Sequence, residues 1–383
     1  MTKKQRRRGV AVLVLLLLAG WTLFRLMPFY LPSEAVPFNG AFWYNPYEGL
    51  TRGEGKWLRA NFHAHSNAWG KMTNGSKNTV SDIMAKYDSL GYDIIGISDY
   101  QNITATPCSV FIPVYEHGFN ILKTHQGCLG AREVYGCDVI IPQTRSQKQH
   151  IINALKERSE LVVLNHPGWM GGYSVRNMQQ LTGYDLIEVL NDFWKSENLW
   201  DVALSSGKPA MMIAGDDAHN VFKPTDIARD LTMIYVRSGQ VKPQHIYDAL
   251  KNGAAYGLEV TRRAARSMVP EKRRGLDSLP VLQSCIVRGD SLCVLLTGEA
   301  LEYTFIGQDG IILSTVPENT AEPDKDLPII YKLQPQDTYV RVRILLRDSS
   351  LLYLNPVMRT AHPGMKPPMP EARKRQLFTI FAQ

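Results

Sequence analysis

The chain has 383 residues, with 44% hydrophobic and 21% charged residues and five cysteines. Such values exclude a small disulfide scaffold, a collagen-like chain and a wholly disordered one, and they leave room for roughly two or three domains with full cores. Lys3, Lys4, Arg6, Arg7 and Arg8 supply five of the seven net positive charges, which leaves +2 for everything else, so no nucleic-acid partner is expected.

Those cations form a basic tail, 1–8, ahead of an uninterrupted apolar run, 9–24, whose apolar character resumes after Arg25 through Leu31. About 20 apolar residues span a bilayer, so 9–31 is expected to be a transmembrane anchor with the lipid bilayer as its partner. Arg25 can snorkel to the interface, and Trp21, Phe29 and Tyr30 suit it. The positive-inside rule then places the tail in the cytoplasm and the body on the extracytoplasmic side, periplasmic or extracellular. A cleaved signal peptide competes with the anchor, because Ser33-Glu34-Ala35 has small-x-small spacing, although that site lies far beyond the apolar core.

The stretch 32–57 is rich in Pro and aromatics and reads as an extended linker packed on the body. Over 58–261 short apolar runs alternate with amphipathic stretches. The runs are Leu58 to His63, Tyr92 to Ile97, Phe119 to Leu122, Leu161 to Leu164, Leu186 to Leu190, Met211 to Ala214 and Leu231 to Val236. Val80 to Leu90, Gln147 to Arg158 and Pro243 to Lys251 have helical spacing. Parallel strands alternating with helices predict an α/β fold, a (βα) barrel.

The segment 262–280 carries Arg262, Arg263, Arg266, Lys272, Arg273 and Arg274 and reads as a basic, solvated linker, with contact to anionic lipid or glycan as the sharper alternative. Beyond it, 281–383 holds short strand-like runs separated by Gly, Asp, Asn and Pro, which predicts a small antiparallel β-sandwich. Cys285 and Cys293 flank a hairpin turn at Arg288-Gly289-Asp290, where they either form a disulfide or act as buried apolar residues.

The polar residues fall at strand ends. His63 and His65 close the first run, Asp99 the second and His166 the Leu161 run, while Asp217 and His219 follow the Met211 run. In a parallel barrel such ends converge on one face. Residues at i and i+2 of a strand point to the same side, so His63 with His65, and Asp217 with His219, are each placed to share an ion. Mixed imidazole and carboxylate ligands suit Zn, Mn or Fe better than Ca. The bland alternative for His166, ahead of Pro167-Gly168, is a strand cap.

Taken in order, Asn61-Phe62-His63-Ala64-His65-Ser66, Ile97-Ser98-Asp99, Leu164-Asn165-His166-Pro167-Gly168 and Ala214-Gly215-Asp216-Asp217-Ala218-His219-Asn220 resemble the metal-binding motifs of the PHP (polymerase and histidinol phosphatase) family. That resemblance implies a distorted seven-stranded (βα) barrel that holds two or three divalent ions and most often hydrolyses phosphate esters; because this sequence departs from the family's motifs in places, one to three ions are expected here. It makes His63, His65, His166, Asp217 and His219 metal ligands. The family's bridging Glu is matched by Glu116, after Pro113-Val114-Tyr115, or by its rival Glu133, and with Glu116 goes His125. His117, Glu188 and Asn191 are weaker candidates. The sequence departs from the family where Asp99 is followed by Tyr100 instead of His, and where Asn74-Gly75 is the nearest echo of an acidic residue after the first pair.

The expected function is therefore that of a membrane-anchored hydrolase using metal-activated water on a small phosphorylated or glycan-type substrate. Asp99 or Asp216 would orient the water as catalytic carboxylates, and Lys71 or Arg132 would meet a phosphate. The alternative is a catalytically impaired barrel that serves as a binding or scaffolding protein, a reading prompted by Tyr100. Hydrolysis of an amide or glycan bond is a third possibility.

Overall fold

The computed structural model describes residues 3–26, 28–50, 54–73, 75–237, 239–261, 264, 266–317 and 327–375. Asn74, Arg262 and Arg263, named above, lie outside them. The elements in chain order are α1 (Lys3–Leu26), β1 (Phe42–Tyr44), β2 (Gly55–Asn61), α2 (Val80–Ser89), β3 (Ile94–Ile95), β4 (Val114–His117), β5 (Gln126–Leu129), α3 (Arg145–Lys156), β6 (Leu161–Leu164), α4 (Val175–Gln180), β7 (Leu186–Asn191), α5 (Glu197–Ser205) and β8 (Met211–Gly215). They continue with β9 (Asp230–Arg237), α6 (Pro243–Asn252), β10 (Ala255–Glu259), α7 (Val269–Ser278), β11 (Leu282–Arg288), β12 (Ser291–Leu296), β13 (Ala300–Ile306), β14 (Ile312–Pro317), β15 (Ile329–Lys332), β16 (Tyr339–Leu346), β17 (Leu351–Leu354) and β18 (Val357–Thr360).

Local chemistry sets the helix starts. Thr79 and Asp82 close a reciprocal capping box on α2, and Thr144 with Gln147 does the same on α3, so the first unpaired amides of each helix are satisfied. Strands β6, β7 and β8 are buried along their whole length, as strands covered on both faces must be. They run parallel to one another, and β5 pairs antiparallel with both β6 and β4, so β4 points the same way as β6 to β8 and completes a five-stranded sheet.

This arrangement corrects the expected seven-stranded barrel. No continuous ladder of strands closes among the described residues. Among the described residues the backbone pairing between this sheet and a second, ten-stranded sheet is limited to the single bridges Tyr100–Glu116 and Ala64–Ala218, with the Thr232 hydroxyl of β9 bonded to the Ala214 backbone of β8. The run at Phe119 to Leu122 is a loop, because Asn120 uses its side chain on the carbonyls of Val139 and Ile141 and so pins the segment out of the sheet. Strand β9 lies antiparallel between β2 and β10.

The separate C-terminal sandwich is corrected too. Strand β17 pairs with β10 and passes the sheet on to β16, β18, β13 and β14, so the late strands extend the sheet that carries β2. Among the described residues, β11, β12 and β15 are the late strands that form a sheet of their own. One apolar core mixes Tyr87, Ile97 and Leu231 with Val294, Phe305 and Leu352, and burying that shared surface fuses the two halves. Arg341 of β16 adds a bidentate ion pair with Asp201 of α5, both contacts at 2.7 Å. Part of the basic stretch forms α7, where buried Lys272 donates to the carbonyls of Pro224 and Ile227.

The transmembrane anchor is overturned as well: among the described residues no helix is long and apolar enough to cross a membrane. Helix α1 runs for 24 residues, but the apolar run between Arg8 and Arg25 has only 16. At ~1.5 Å per residue that run reaches about 24 Å, short of a ~30 Å hydrocarbon layer. Nor does Tyr30 belong to an interface. It is buried on the body, where its backbone amide donates to Ser146 Oγ and its carbonyl accepts from Arg145. The bilayer as partner and the extracytoplasmic, periplasmic placement rested on that helix and fall with it.

All five cysteines are free. Cys285 sits opposite Val294 and Cys293 opposite Ile286, a one-residue offset that sends the two sulfurs to opposite faces of the hairpin and rules out the expected disulfide.

Candidate metal centre

The ends of β2, β4, β6 and β8, with the turns that follow them, bring seven side chains together: His63, His65, Glu116, His125, His166, Asp217 and His219. They form four overlapping groups that could each hold an ion, namely His63/His65/Glu116, His63/His166/Asp217, His65/Asp217/His219 and Glu116/His125/His166. Six of the seven are buried and His219 is half-buried. Clusters of His, Glu and Asp at this spacing are divalent-metal sites in the making.

Glu116 is the hub. Its Oε1 lies 3.2 Å from His63 Nε2, 3.1 Å from His125 Nδ1 and 3.2 Å from His166 Nε2, and its Oε2 lies 3.6 Å from His65 Nε2. Asp217 Oδ1 is 3.2 Å from His63 Nε2 and 3.1 Å from His65 Nε2. Nitrogen and oxygen ligands at ~2.1 Å from one centre stand about 3.0–3.4 Å apart, which matches these separations. Three of the converging atoms, His63 Nε2, Glu116 Oε2 and His125 Nδ1, are buried without an aligned hydrogen bond. Leaving such atoms unsatisfied costs about 1–3 kcal/mol each, so the donor set fits a metal better than it fits itself.

Neighbouring groups fix the ligands. His63 Nδ1 meets Glu188 Oε1 at 2.8 Å, so a proton held there leaves Nε2 as the lone-pair donor. Glu188 Oε2 also accepts from the backbone amide of His166 at 2.9 Å and from Asn191 at 3.0 Å. His219 Nδ1 lies 2.7 Å from the Asp217 carbonyl, which presents Nε2 in the same way. Asn165 donates to Glu116 Oε1 at 2.9 Å. His166 and Asp217 adopt left-handed backbone angles, φ 28° and 50°, strain of the kind found where side chains are aimed at a site. A Cβ on Gly215 would stand 2.7 Å from Glu188 Oε1 and 2.8 Å from His63 Cβ, so only glycine lets β8 approach this pair.

Electrostatics follow from the crowding. Burial alone would lower the His63 imidazole, but the carboxylates of Asp217, Glu188 and Glu116 hold it well above its usual range. Burial would raise Glu116, yet His125 and His63 draw it well below the carboxylate range. Asp217 is drawn down in the same way, against burial, by His63, His65 and His219. These acids are therefore ionised and ready to bind cations.

The remaining candidates are placed elsewhere. Glu133 is turned outward onto Arg158 at 2.9 Å, so β4 brings Glu116 and not its rival to the cluster. His117 follows Glu116 on the opposite face of the strand, between Gln126 and the Cys137 carbonyl. Asp99 spends its oxygens on Ser66 and Thr104, and Asp216 accepts from Tyr87 and the amides of Ala228, Arg229 and Asp230; neither joins any of the four groups. Lys71 is exposed, and Arg132 is paired with Glu160 at 3.0 Å.

Tyr100 stacks on His65 with ring centroids 4.5 Å apart, and its hydroxyl is 3.4 Å from His219 Nε2. Burial, with Glu116 and Asp217 beside it, pushes the phenol far above its usual range, so without a cation beside it the hydroxyl keeps its proton. Two residues beside the site were underrated or missed in the sequence. Glu188 could have been found as the one charge in the apolar run Leu186 to Leu190. Lys123 carries no such signal; it lies two residues from His125 in the chain, and the structure adds that it lines the cavity beside the site.

No family model matches the chain, and no curated protein matches it. Among solved structures the chain is similar to a two-domain protein containing a predicted PHP-like metal-dependent phosphoesterase from Bacteroides vulgatus ATCC 8482. The identity is 14% over 83% of this chain and 100% of that one, with a TM-score of 0.41. A likeness that distant carries no argument, and the site stands on its own geometry.

Proposed function

We propose that the chain is a metal-dependent hydrolase acting on phosphate esters. One observation carries the reading: seven ligand side chains from four separate strand ends converge with Glu116 shared between two groups, and buried donor atoms are left without hydrogen bonds. The ordered resemblance of the surrounding motifs to the PHP family supports the phosphate ester as substrate. In the net reaction a water oxygen forms a new bond to phosphorus, the bond from phosphorus to the ester oxygen breaks, and a proton from the water ends on the leaving alcohol.

His63, His65, Glu116 and Asp217 would hold one ion, and His125 and His166, with Glu116, a second. His65, Asp217 and His219 form the third group, beside Tyr100. Bound divalent ions lower the pKa of water toward ~7 and neutralise the ester oxygens. The protein's part is positioning. Glu188 keeps the proton on His63 Nδ1, the Asp217 carbonyl keeps it on His219 Nδ1, and Asn165 steadies Glu116. Asp99 ties Ser66 beside His65, and Asp216 braces the turn at 228–230 next to Asp217.

The test is elemental analysis of the full chain purified without chelators, beside Asp217→Ala, with both proteins assayed on a panel of phosphate esters. Asp217→Ala should lose bound metal and turnover together. Unchanged metal content in that variant would overturn the assignment, and full metal occupancy with no turnover on any ester would favour the binding or scaffolding role.

A further inference from the structure

Next to the cluster lies a cavity of about 480 Å³ with Trp69, Met72, Tyr100, Phe119, Lys123 and His125 in its wall. That volume suits a small organic molecule. His125 belongs to the cluster and Tyr100 stacks on His65, so the cavity opens directly off the candidate metal centre. Its apolar wall is left in water: Trp69 is 42% exposed, Phe119 53% and Met72 85%. The Trp69 indole is nevertheless fixed, because Nε1 donates to the Tyr100 carbonyl at 2.6 Å. Large apolar groups held in place beside a polar centre are what a ring-shaped ligand would cover.

The cation in this wall is placed with equal care. Lys123 has φ 56°, a left-handed conformation uncommon for lysine, held by its amide on Asn120 and by the His125 amide on its own carbonyl. Its Nζ stands 5.8 Å from the centroid of Trp169, and it makes no ion pair among the described residues. An unpaired ammonium two residues from a candidate ligand is suited to an anion bound at the cluster. Among the described residues of the wall, apart from Tyr100 and His125 of the site itself, Thr73 and Lys123 are the polar side chains that face the cavity, fewer than the hydroxyl groups of a sugar would call for.

We infer that this cavity selects phosphate esters whose alcohol part carries a flat aromatic ring, with Trp69 and Phe119 holding the ring and Lys123 meeting the phosphate. The inference rests on the proposed phosphoesterase reading, and Lys123 takes the role expected of Lys71 or Arg132. Covering and stacking one ring supports a preference of roughly 10- to 100-fold.

Calorimetric titration of the metal-loaded full chain with 2-phenylethylphosphonate and ethylphosphonate tests the binding. It is paired with kcat/KM on 2-phenylethyl phosphate, ethyl phosphate and glucose 6-phosphate, all esters of primary alcohols. The ring-bearing phosphonate should bind about tenfold tighter or better. Trp69→Ala and Phe119→Ala should each shrink that ratio, whereas Lys123→Met should weaken both phosphonates. Phe119 is exposed, so its variant should fold even where Trp69→Ala does not. Equal binding of the two phosphonates, a ratio untouched by both aromatic variants, or preference for glucose 6-phosphate would overturn the inference. Ring-selective binding without turnover of any ester would uphold it and refute the hydrolase reading; turnover without ring preference would do the reverse.

Discussion

Removing the Glu188 carboxylate tests whether the cluster is built to hold metal. Glu188 bonds His63 Nδ1 at 2.8 Å, the His166 amide at 2.9 Å and Asn191 at 3.0 Å, so it touches two ligands without joining any of the four ligand groups. Glu188→Ala frees the His63 ring to turn and to protonate at Nε2, and it leaves the His166 amide unpaired. Glu188→Gln keeps the shape but has one acceptor oxygen where two are used. Loss of such an outer partner lowers metal affinity by about 10- to 100-fold, or ~1.4–2.7 kcal/mol. The orphaned amide adds a folding cost of about 1–3 kcal/mol in the alanine variant alone. Equilibrium competition against a chelating dye, run well below the thermal midpoint of each protein, separates the two effects. Affinity should fall in the order wild type, Gln, Ala. Wild-type affinity in both variants would show that Glu188 does not orient a ligand and would refute the reasoning.

Gly215→Ala should retain most of the secondary structure by circular dichroism yet bind metal weakly, because the added Cβ stands 2.7 Å from Glu188 Oε1. Asp201→Ala strands the buried Arg341 guanidinium, which keeps only Glu197 at 2.8 Å, and should cost about 3–5 kcal/mol in urea unfolding; a loss under ~1 kcal/mol would show that the pair does not fasten β16 to α5. Burial lowers the Lys208 ammonium to about 8. Its unfolded value is ~10.4, so below about pH 8 both states carry the proton, and above it the folded state releases the proton first. The stability of the wild type relative to Lys208→Met should therefore rise between about pH 8 and ~10.4, and a flat or falling difference in denaturant titrations would contradict it. Removing bound metal with a chelator should lower the thermal midpoint of the wild type and leave that of Asp217→Ala in place, since only a folded cluster binds the ion.

The parts of the site that could be read from the sequence are those encoded locally. His63 with His65, and Asp217 with His219, are two residues apart just past strand ends, a spacing that marks each pair in the sequence, although Asp217 reaches the site from a left-handed turn and not from an extended strand. The short apolar runs Leu161 to Leu164, Leu186 to Leu190, broken only by Glu188, and Met211 to Ala214 likewise announce buried strands, because strands covered on both faces need no alternation. What depended on partners distant in sequence was settled only by the fold. Glu116 and Glu133 are equivalent until β4 pairs with β5 and turns one inward, leaving the other on Arg158. Nor does any local pattern show that β17 would dock on β10 and draw the C-terminal strands into the first sheet, since that register is chosen by the apolar surface the two halves bury together. The N-terminal run illustrates the same limit. Its composition suggests a bilayer, but the apolar stretch within the helix is cut short by the charges at its ends, and the docking of Tyr30 on the body is set by the surface the chain meets when it folds.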